Sequence, residues 1–595
     1  MKLALLLAAA ALGAPAADWK PAANTLTTPW TAKVGPGKAL PEYPRPQLSR
    51  KAWTNLNGLW DYAILPRDAA RPDSFQGQIL VPFPVESALS GVKRPLDPAQ
   101  RLWYRRTFRA PELKGGRLLL HFGAVDWRAE VFVNGTRVGD HEGGYDPFDF
   151  DITAALKPGG AQELVVSAWD PTDTAVHPRG KQVLKPNSIW YTAVSGIWQT
   201  VWLEPVSAVS ITGLVIAPDV DGRRALLSVS STSTDAFTAV VKLRGRVVGR
   251  LSGKTGQAPA AIPLSAVETW SPRTPVLYDL EVALPSGDRI ASYFGLRKIE
   301  VRKDAAGLNR IFLNNQPQFM IGPLDQGWWP DGLYTAPTDA AIRFDISTLK
   351  KLGFNMLRKH VKVEPARYYY WCDRLGMMVW QDMPSASTGR ATDVGKGAAA
   401  DAAFQGADAA AFERELKAVM DRLRNAPSVI AWVAFNEGWG QHATNDILKM
   451  VKAYDPSRLV DGPSGWEDRG WGDMKDLHEY PGPNMFPPVA DRASVLGEFG
   501  GLGYPIAGHL WAADKRNWGY RGFKDKASLQ KAYEGLIDKL APLVKQGLAA
   551  AVYTQTSDVE TEVNGLMTYD RRVIKLDAAK VAALQRALTG SAAAR

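Results

Sequence analysis

The stretch Val429-Ile430-Ala431-Trp432-Val433-Ala434-Phe435-Asn436-Glu437-Gly438-Trp439 decides the fold. Its apolar run is unbroken and stops abruptly at Asn-Glu. Such a run suits a strand buried on both faces, as in a parallel sheet, rather than an alternating antiparallel strand. Just before it, Ala411–Arg424 sets Phe412, Leu416, Val419, Met420 and Leu423 on one helical face. The same alternation of short strand and helical stretch extends in both directions. It predicts strands at Phe319–Ile321, Phe354–Arg358, Met377–Gln381, Val429–Phe435, Arg458–Asp461, Asp476–His478, Ser494–Gly497 and Ala549–Tyr553. Eight β/α units across residues 303–595 predict a (β/α)8 TIM barrel. The Ala/Gly-rich stretch Gly395–Ala411 reads as a surface insertion.

Upstream the period changes. Residues 18–206 hold short alternating runs with Gly, Pro and Asp turns, such as Arg117–Phe122 and Ala129–Val133, the latter closed by Asn134-Gly135. That spacing predicts an antiparallel β-sandwich. Residues 207–302 carry Ala225–Val229, Ala239–Leu243 and Tyr278–Val282, which suit a second, immunoglobulin-like sandwich. Residues 1–17 read as a secretory signal: Met1-Lys2, an apolar Leu/Ala run, then Ala14-Pro15-Ala16-Ala17 before Asp18. The expected location is therefore periplasmic or secreted.

Composition narrows the function. The chain has 595 residues, 46% hydrophobic and 22% charged, which excludes wholesale disorder and a small disulfide scaffold. Beyond the N-terminus no apolar run is long enough to span a membrane. The net charge of +10 is interspersed rather than blocked, so no nucleic-acid surface is expected. The one cysteine, Cys372, lies among aromatics and reads as a buried apolar residue. The 21 Trp serve either β-domain cores or platforms for sugar rings. There is no phosphate loop, no nucleophile elbow, and the seven His show no zinc spacing, so neither a cofactor nor a metal is expected.

In a barrel, chemistry sits at the C-terminal ends of the strands. Glu437 ends the fourth strand beside Trp439, and Glu498 ends the seventh in Val495-Leu496-Gly497-Glu498-Phe499-Gly500-Gly501. Two carboxylates facing each other are what glycoside hydrolysis needs: one protonated to release the leaving oxygen, the other ionised to attack the anomeric carbon. Their mutual repulsion and burial help separate the two pKa values.

The motifs extend further. The first sandwich carries Val133-Asn134-Gly135, Gly143-Gly144-Tyr145-Asp146-Pro147-Phe148 and Ser195-Gly196-Ile197-Trp198-Gln199-Thr200-Val201-Trp202-Leu203. The barrel carries Leu352-Gly353-Phe354-Asn355-Met356-Leu357-Arg358-Lys359-His360 and Cys372-Asp373-Arg374-Leu375-Gly376. With the two Glu motifs, these resemble glycoside hydrolase family 2, the β-galactosidase, β-glucuronidase and β-mannosidase family. The resemblance implies a jelly-roll sugar-binding-like domain, an immunoglobulin-like domain and a catalytic barrel. It implies Glu437 as general acid/base and Glu498 as nucleophile, with retention of configuration. Asn436 would bond the sugar 2-hydroxyl, Arg358 would keep Glu498 ionised, and Tyr480 would hydrogen-bond it. His360 and His478 would line the pocket or be structural. Asp382 would line it or form a structural ion pair. Trp439 and Tyr553 would stack on a sugar or belong to the core.

Departures from the family pattern bear on the sugar. After the first strand the loop Gly322–Asp331 has no His; Asp325 could reach a hydroxyl there, and Trp328 or Trp329 could form a wall. After the eighth strand, Glu560–Leu566 lacks the Asn-x-Lys of β-glucuronidases and is acidic, which would repel a uronate. Before Ser195-Gly196-Ile197, the stretch Lys185–Tyr191 lacks the Asp of the large β-galactosidases. The expectation is a retaining exo-β-glycosidase, β-galactosidase-like, with a β-glucuronidase or β-mannosidase specificity as the alternative. The competing class is a non-catalytic carbohydrate-binding protein on the same scaffold. Its partner is a carbohydrate substrate, with a homo-oligomer possible.

Overall fold

The computed structural model describes residues 19–384, 393–404 and 406–593. The predicted signal segment lies outside the described residues. The first sandwich packs a four-stranded sheet (Thr54–Asn55, Val201–Val206, Arg117–Phe122, Phe148–Asp151) against a six-stranded one that runs from Gly77–Val81 to Thr136–Glu142. Alternation explains both faces: in Arg128–Val133 the inward Ala129, Val131 and Val133 are fully buried while Arg128 is exposed. The second sandwich has three-stranded and four-stranded sheets with a separate core around Phe237, Val241, Tyr278 and Leu280. A hairpin, Ile299–Lys303 with Asn309–Leu313, crosses residue 303 and leads into the barrel.

The barrel is closed and parallel: β1 (Met320–Asp325), β2 (Met356–Lys359), β3 (Met378–Asp382), β4 (Val429–Val433), β5 (Leu459–Asp461), β6 (Met474–Glu479), β7 (Ala493–Gly500) and β8 (Leu548–Thr554). β3, β4, β7 and β8 are buried at every position, as a barrel wall between two packed layers must be. Helices α1 (Asp339–Lys351), α2 (Ala366–Leu375), α3 (Ala407–Leu423), α4 (Thr444–Tyr454), α5 (Lys526–Gln546) and α6 (Ala578–Ala593) follow β1, β2, β3, β4, β7 and β8. The β5–β6 and β6–β7 links form no α-helix, which differs from eight complete β/α units. Their sequences explain it: Gly462-Pro463, Gly465, Gly470 and Gly472 in one, Pro481, Pro483, Pro487 and Pro488 in the other, cannot sustain helical hydrogen bonding.

The first sandwich and the barrel share one hydrophobic cluster, in which Trp30, Tyr145, Tyr191 and Trp198 join Trp328, Trp329 and Tyr334. Most tryptophans are thus spent on cores and on this seam. Cys372 is buried and unpaired. Among the described residues no helix is long and apolar enough to cross a membrane.

Candidate active site

The residues at the barrel mouth converge. β4 ends at Val433, but the chain stays paired: Ser464 N–H donates to Phe435 O at 3.0 Å and Glu437 N–H donates to Ser464 O at 2.9 Å. Glu437 itself sits at φ +51°, a left-handed conformation that a residue with a Cβ adopts only when its surroundings impose it. Glu498 is on β7, paired with His478 across a register shift. Gly497 precedes it because Asp476 occupies the space a side chain would need, with a carboxylate oxygen 2.0 Å from an ideal Cβ. A carboxylate oxygen of Glu437, one of Glu498 and a ring nitrogen of His478 all lie within 4.8 Å of one another.

His478 stands between the two carboxylates. Its Nδ1 is 2.8 Å from Glu437 Oε1 and 3.6 Å from Glu498 Oε2. Ser464 gives its proton to Asp476 Oδ2 at 2.6 Å, so at 2.8 Å it accepts from His478 Nε2–H. Both ring nitrogens thus face oxygen acceptors, an arrangement that favours the protonated ring. Burial alone would lower its pKa, but Glu498, Glu437 and Asp476 raise it above the usual value. Gly465, at φ +89°, lies against the ring, where an ideal Cβ would come within 2.6 Å of Nδ1.

Arg358, on β2, is fully buried and organises the rest. Its Nε and Nη2 hold Asp382 Oδ1 and Oδ2 at 2.9 and 3.0 Å, Nη2 reaches Asn436 Oδ1 at 2.7 Å, and Nη1 lies 3.4 Å from Glu498 Oε1. This leaves the buried Asn436 Nδ2 without a partner among the described residues. Tyr480 donates its hydroxyl to Glu498 Oε2 at 2.5 Å. Burial pushes the Glu498 carboxyl up, but the cations facing it outweigh that and hold its pKa at about 2. His360 contributes little of this charge at neutral pH. Burial and the positive charge of Lys181 push its own pKa well down, and its Nδ1–H donates to Asp382 Oδ2 at 2.8 Å. The cations holding Glu498 ionised are thus His478, Arg358 and Lys181.

The structure therefore brings Glu437, Glu498, Asn436, Arg358, His478 and Tyr480 together, with Asp382 and His360 behind Arg358. Trp439 packs at the mouth, 6.3 Å between ring centroids from His360 and 4.9 Å from Trp190 of the first sandwich. Tyr553 faces elsewhere: it packs against Phe499 and Tyr533 and belongs to the core. Asp325 is held at the bottom of its loop by Tyr368 (2.7 Å), Gly327 N–H (2.9 Å) and Lys359 (3.2 Å). Trp328 and Trp329 are buried in the seam between the sandwich and the barrel.

Several residues of the mouth carry no strand-end signal. Tyr520 stacks on Tyr480 with ring centroids 3.6 Å apart and is 40% exposed; Trp518 beside it is 36% exposed. An aromatic pair split by Gly519 in a polar loop is the one sequence feature that could have drawn attention to them. Ser464, Lys181, Trp190 and Tyr191 arrive from loops distant in sequence. The acidic stretch after β8 is turned onto the sandwich: Glu562 accepts from the Tyr191 hydroxyl and, at 3.0 Å, from Asn564 Nδ2, and Glu560 accepts from Thr192 N–H at 2.9 Å. Both carboxylates are held there by neutral donors. By atom type, Glu437–His478–Glu498 could hold a cation, as could Asp126–Asp170–His177 inside the first sandwich. A cavity of about 520 Å³ lies elsewhere, between the sandwiches and the barrel, lined by residues such as Arg45, Tyr293 and Arg422 and by none of the mouth residues.

Comparison with known proteins agrees with this architecture. The profile of the glycosyl hydrolases family 2 sugar binding domain matches residues 53–205, and that of the family's TIM barrel domain matches residues 312–474. A β-galactosidase of Thermoanaerobacter pseudethanolicus is 26% identical over 384 residues, 60% of this chain and 48% of that protein. A β-glucuronidase of Sus scrofa is 25% identical over 480 residues, 70% of this chain and 69% of that one. The chain thus spans about half the length of the first of these relatives. The solved structure of a β-D-glucuronidase from Dictyoglomus thermophilum superposes with a TM-score of 0.72, covering 91% of this chain and 98% of that one at 18% identity, a likeness of fold.

Proposed function

The chain belongs to glycosyl hydrolases family 2, and from that premise we propose that it is an exo-acting, retaining β-glycosidase. The observation that carries the reading is the pair of carboxylates with oxygens within 4.8 Å of each other. A separation of about 5–5.5 Å between the carboxyl groups goes with retention, whereas inversion needs about 6.5–9.5 Å to admit a water. In the first step Glu498 attacks the anomeric carbon as its C–O bond to the aglycone breaks. Glu437, as the acid, gives its proton to the departing oxygen, and a glycosyl ester on Glu498 results. In the second step Glu437 takes a proton from water, the water oxygen bonds to the anomeric carbon, and Glu498 leaves as a carboxylate. The proton taken from water restores the acid on Glu437, whose carboxyl His478 holds in place at 2.8 Å. The unpartnered Asn436 Nδ2 suits the sugar 2-hydroxyl, a bond that strengthens as the oxocarbenium character grows. Trp439 braced on Trp190 walls the mouth, which favours one terminal sugar over a continuous polymer.

The test is hydrolysis of a panel of aryl β- and α-glycosides, covering galactoside, glucoside, mannoside, glucuronide, galacturonide and arabinopyranoside, by wild type and Glu498→Gln. Release of the aryl group from a β-glycoside that Glu498→Gln abolishes is the expected result. Silence across the panel, with the sugars still bound, would favour the non-catalytic carbohydrate-binding reading.

A further inference from the structure

Lys181 enters the barrel mouth from the first sandwich and is 5% exposed. Its Nζ lies 6.0 Å from the Trp439 ring centroid and 5.7 Å from that of Tyr191. Trp439 in turn lies 6.3 Å between ring centroids from His360, which places Lys181 at the barrel mouth. Among the described residues Nζ has neither a hydrogen bond nor an ion pair. The side chain is thus largely buried while its ammonium touches no carboxylate, an arrangement that proteins rarely keep. The other buried lysines nearby are handled differently. Lys359 pairs with Asp325 and Glu364, Lys362 with Glu364, and Lys575 with Asp558.

Lys181 is not needed merely to ionise Glu498, because Arg358 and His478 already lie 3.4 and 3.6 Å from that carboxylate. Nor is its place accidental. Tyr191 N–H donates to the Lys181 carbonyl at 2.9 Å, Gln182–Val183 pairs with Tyr191–Thr192, and the same loop is fastened to Glu560 and Glu562 behind β8. The carboxylates that could have neutralised the ammonium are thereby bound to other donors.

We infer that Lys181 is the anion-binding cation of the sugar pocket, and that the ligand is a glycoside whose terminal sugar bears an anionic group, a carboxylate at C5 or a sulfate ester. The inference takes the position of the pocket from the glycosidase reading, but a binding measurement tests it without turnover. The full chain is titrated calorimetrically with D-galacturonate, D-glucuronate and galactose 6-sulfate, and with neutral galactose and glucose. At least one anionic sugar should bind about 100-fold more tightly than its neutral parent, the scale expected for a desolvated charge pair. That ratio should collapse toward one in Lys181→Met and return in Lys181→Arg, with thermal melting confirming that both variants fold. A preference for the uronates assigns the carboxylate; a preference for the 6-sulfate assigns the ester. Equal binding of neutral and anionic sugars, or a ratio that survives Lys181→Met, would overturn the inference. If a neutral aryl glycoside is hydrolysed through Glu498 and no anionic sugar is preferred, this inference falls and the glycosidase reading stands. If an anionic sugar binds through Lys181 and no aryl glycoside is hydrolysed, the reverse holds.

Discussion

Replacing Arg358 by Met should damage both stability and turnover, and the two losses should separate in a double variant. Arg358 is fully buried and makes three close hydrogen bonds, two to Asp382 and one to Asn436, besides facing Glu498. Removing one partner of a buried ion pair costs about 3–5 kcal/mol. The orphaned Asn436 Oδ1 adds about 1–2 kcal/mol. Asp382, 1% exposed, would be left with only His360 and Val361 N–H as donors. Burial already raises its pKa, and without Arg358 it must rise further. A carboxyl whose folded pKa exceeds its unfolded one adds stability that is full below the unfolded value and is lost as pH climbs through the folded value. The deficit of Arg358→Met should therefore grow as pH rises above the ordinary carboxylate range. In Arg358→Met with Asp382→Leu no charge is stranded, so most of the about 3–5 kcal/mol should return. Turnover should not return, because Asn436 stays unanchored, and a misplacement of that kind costs about 100-fold. Differential scanning calorimetry across pH, with kcat/KM for the preferred aryl glycoside, measures both. A double variant no more stable than Arg358→Met, or a deficit independent of pH, would refute the stranded-charge reasoning.

Three further outcomes follow from the same geometry. Asn436→Ala should lower kcat/KM by about 100-fold on a glycoside with a 2-hydroxyl and by far less on its 2-deoxy analogue, because Nδ2 has nothing else to bond; the two rates side by side check this. Glu437→Ala should still be glycosylated by substrates with good leaving groups, and should lose about 10²–10⁴-fold in deglycosylation. Added azide should then restore release as a β-glycosyl azide, identified by NMR; an α-azide would contradict the assignment. Tyr191→Phe should leave Glu562 Oε2 without its buried donor and lower stability by about 1–3 kcal/mol, read as a shift of the denaturation midpoint.

Much of the barrel can be read from the sequence because its strands are unbroken apolar runs that end in a carboxylate or a glycine. Val429–Phe435 and Ser494–Gly497 overlap β4 and β7, and Glu437 and Glu498 follow from where those runs stop. The β5–β6 and β6–β7 links break the eightfold β/α regularity because their local Gly and Pro outweigh it. Tyr553 shows the limit of residue type as evidence. An aromatic at a strand end suits a sugar platform, but α5 brings Tyr533 against its ring. Lys181, Trp190 and Ser464 mark a deeper limit. Their place at the mouth is set by how one domain docks on another and by where a loop returns, and no local period encodes either. The same holds for charge. Glu560 and Glu562 read as an acidic patch, but that the Tyr191–Thr192 segment of another domain holds them is not visible in their own stretch of sequence.

In the proposed mechanism Glu498 forms a covalent bond to the sugar. The protein is incubated with the 2-deoxy-2-fluoro aryl β-glycoside of its preferred sugar, which slows release of the intermediate. Peptide mass spectrometry of the digest then locates the label. One fluoroglycosyl ester is expected, on Glu498, and none in Glu498→Gln. A label on another residue, or aryl release from the natural glycoside with an inverted sugar as the first product, would contradict that mechanism.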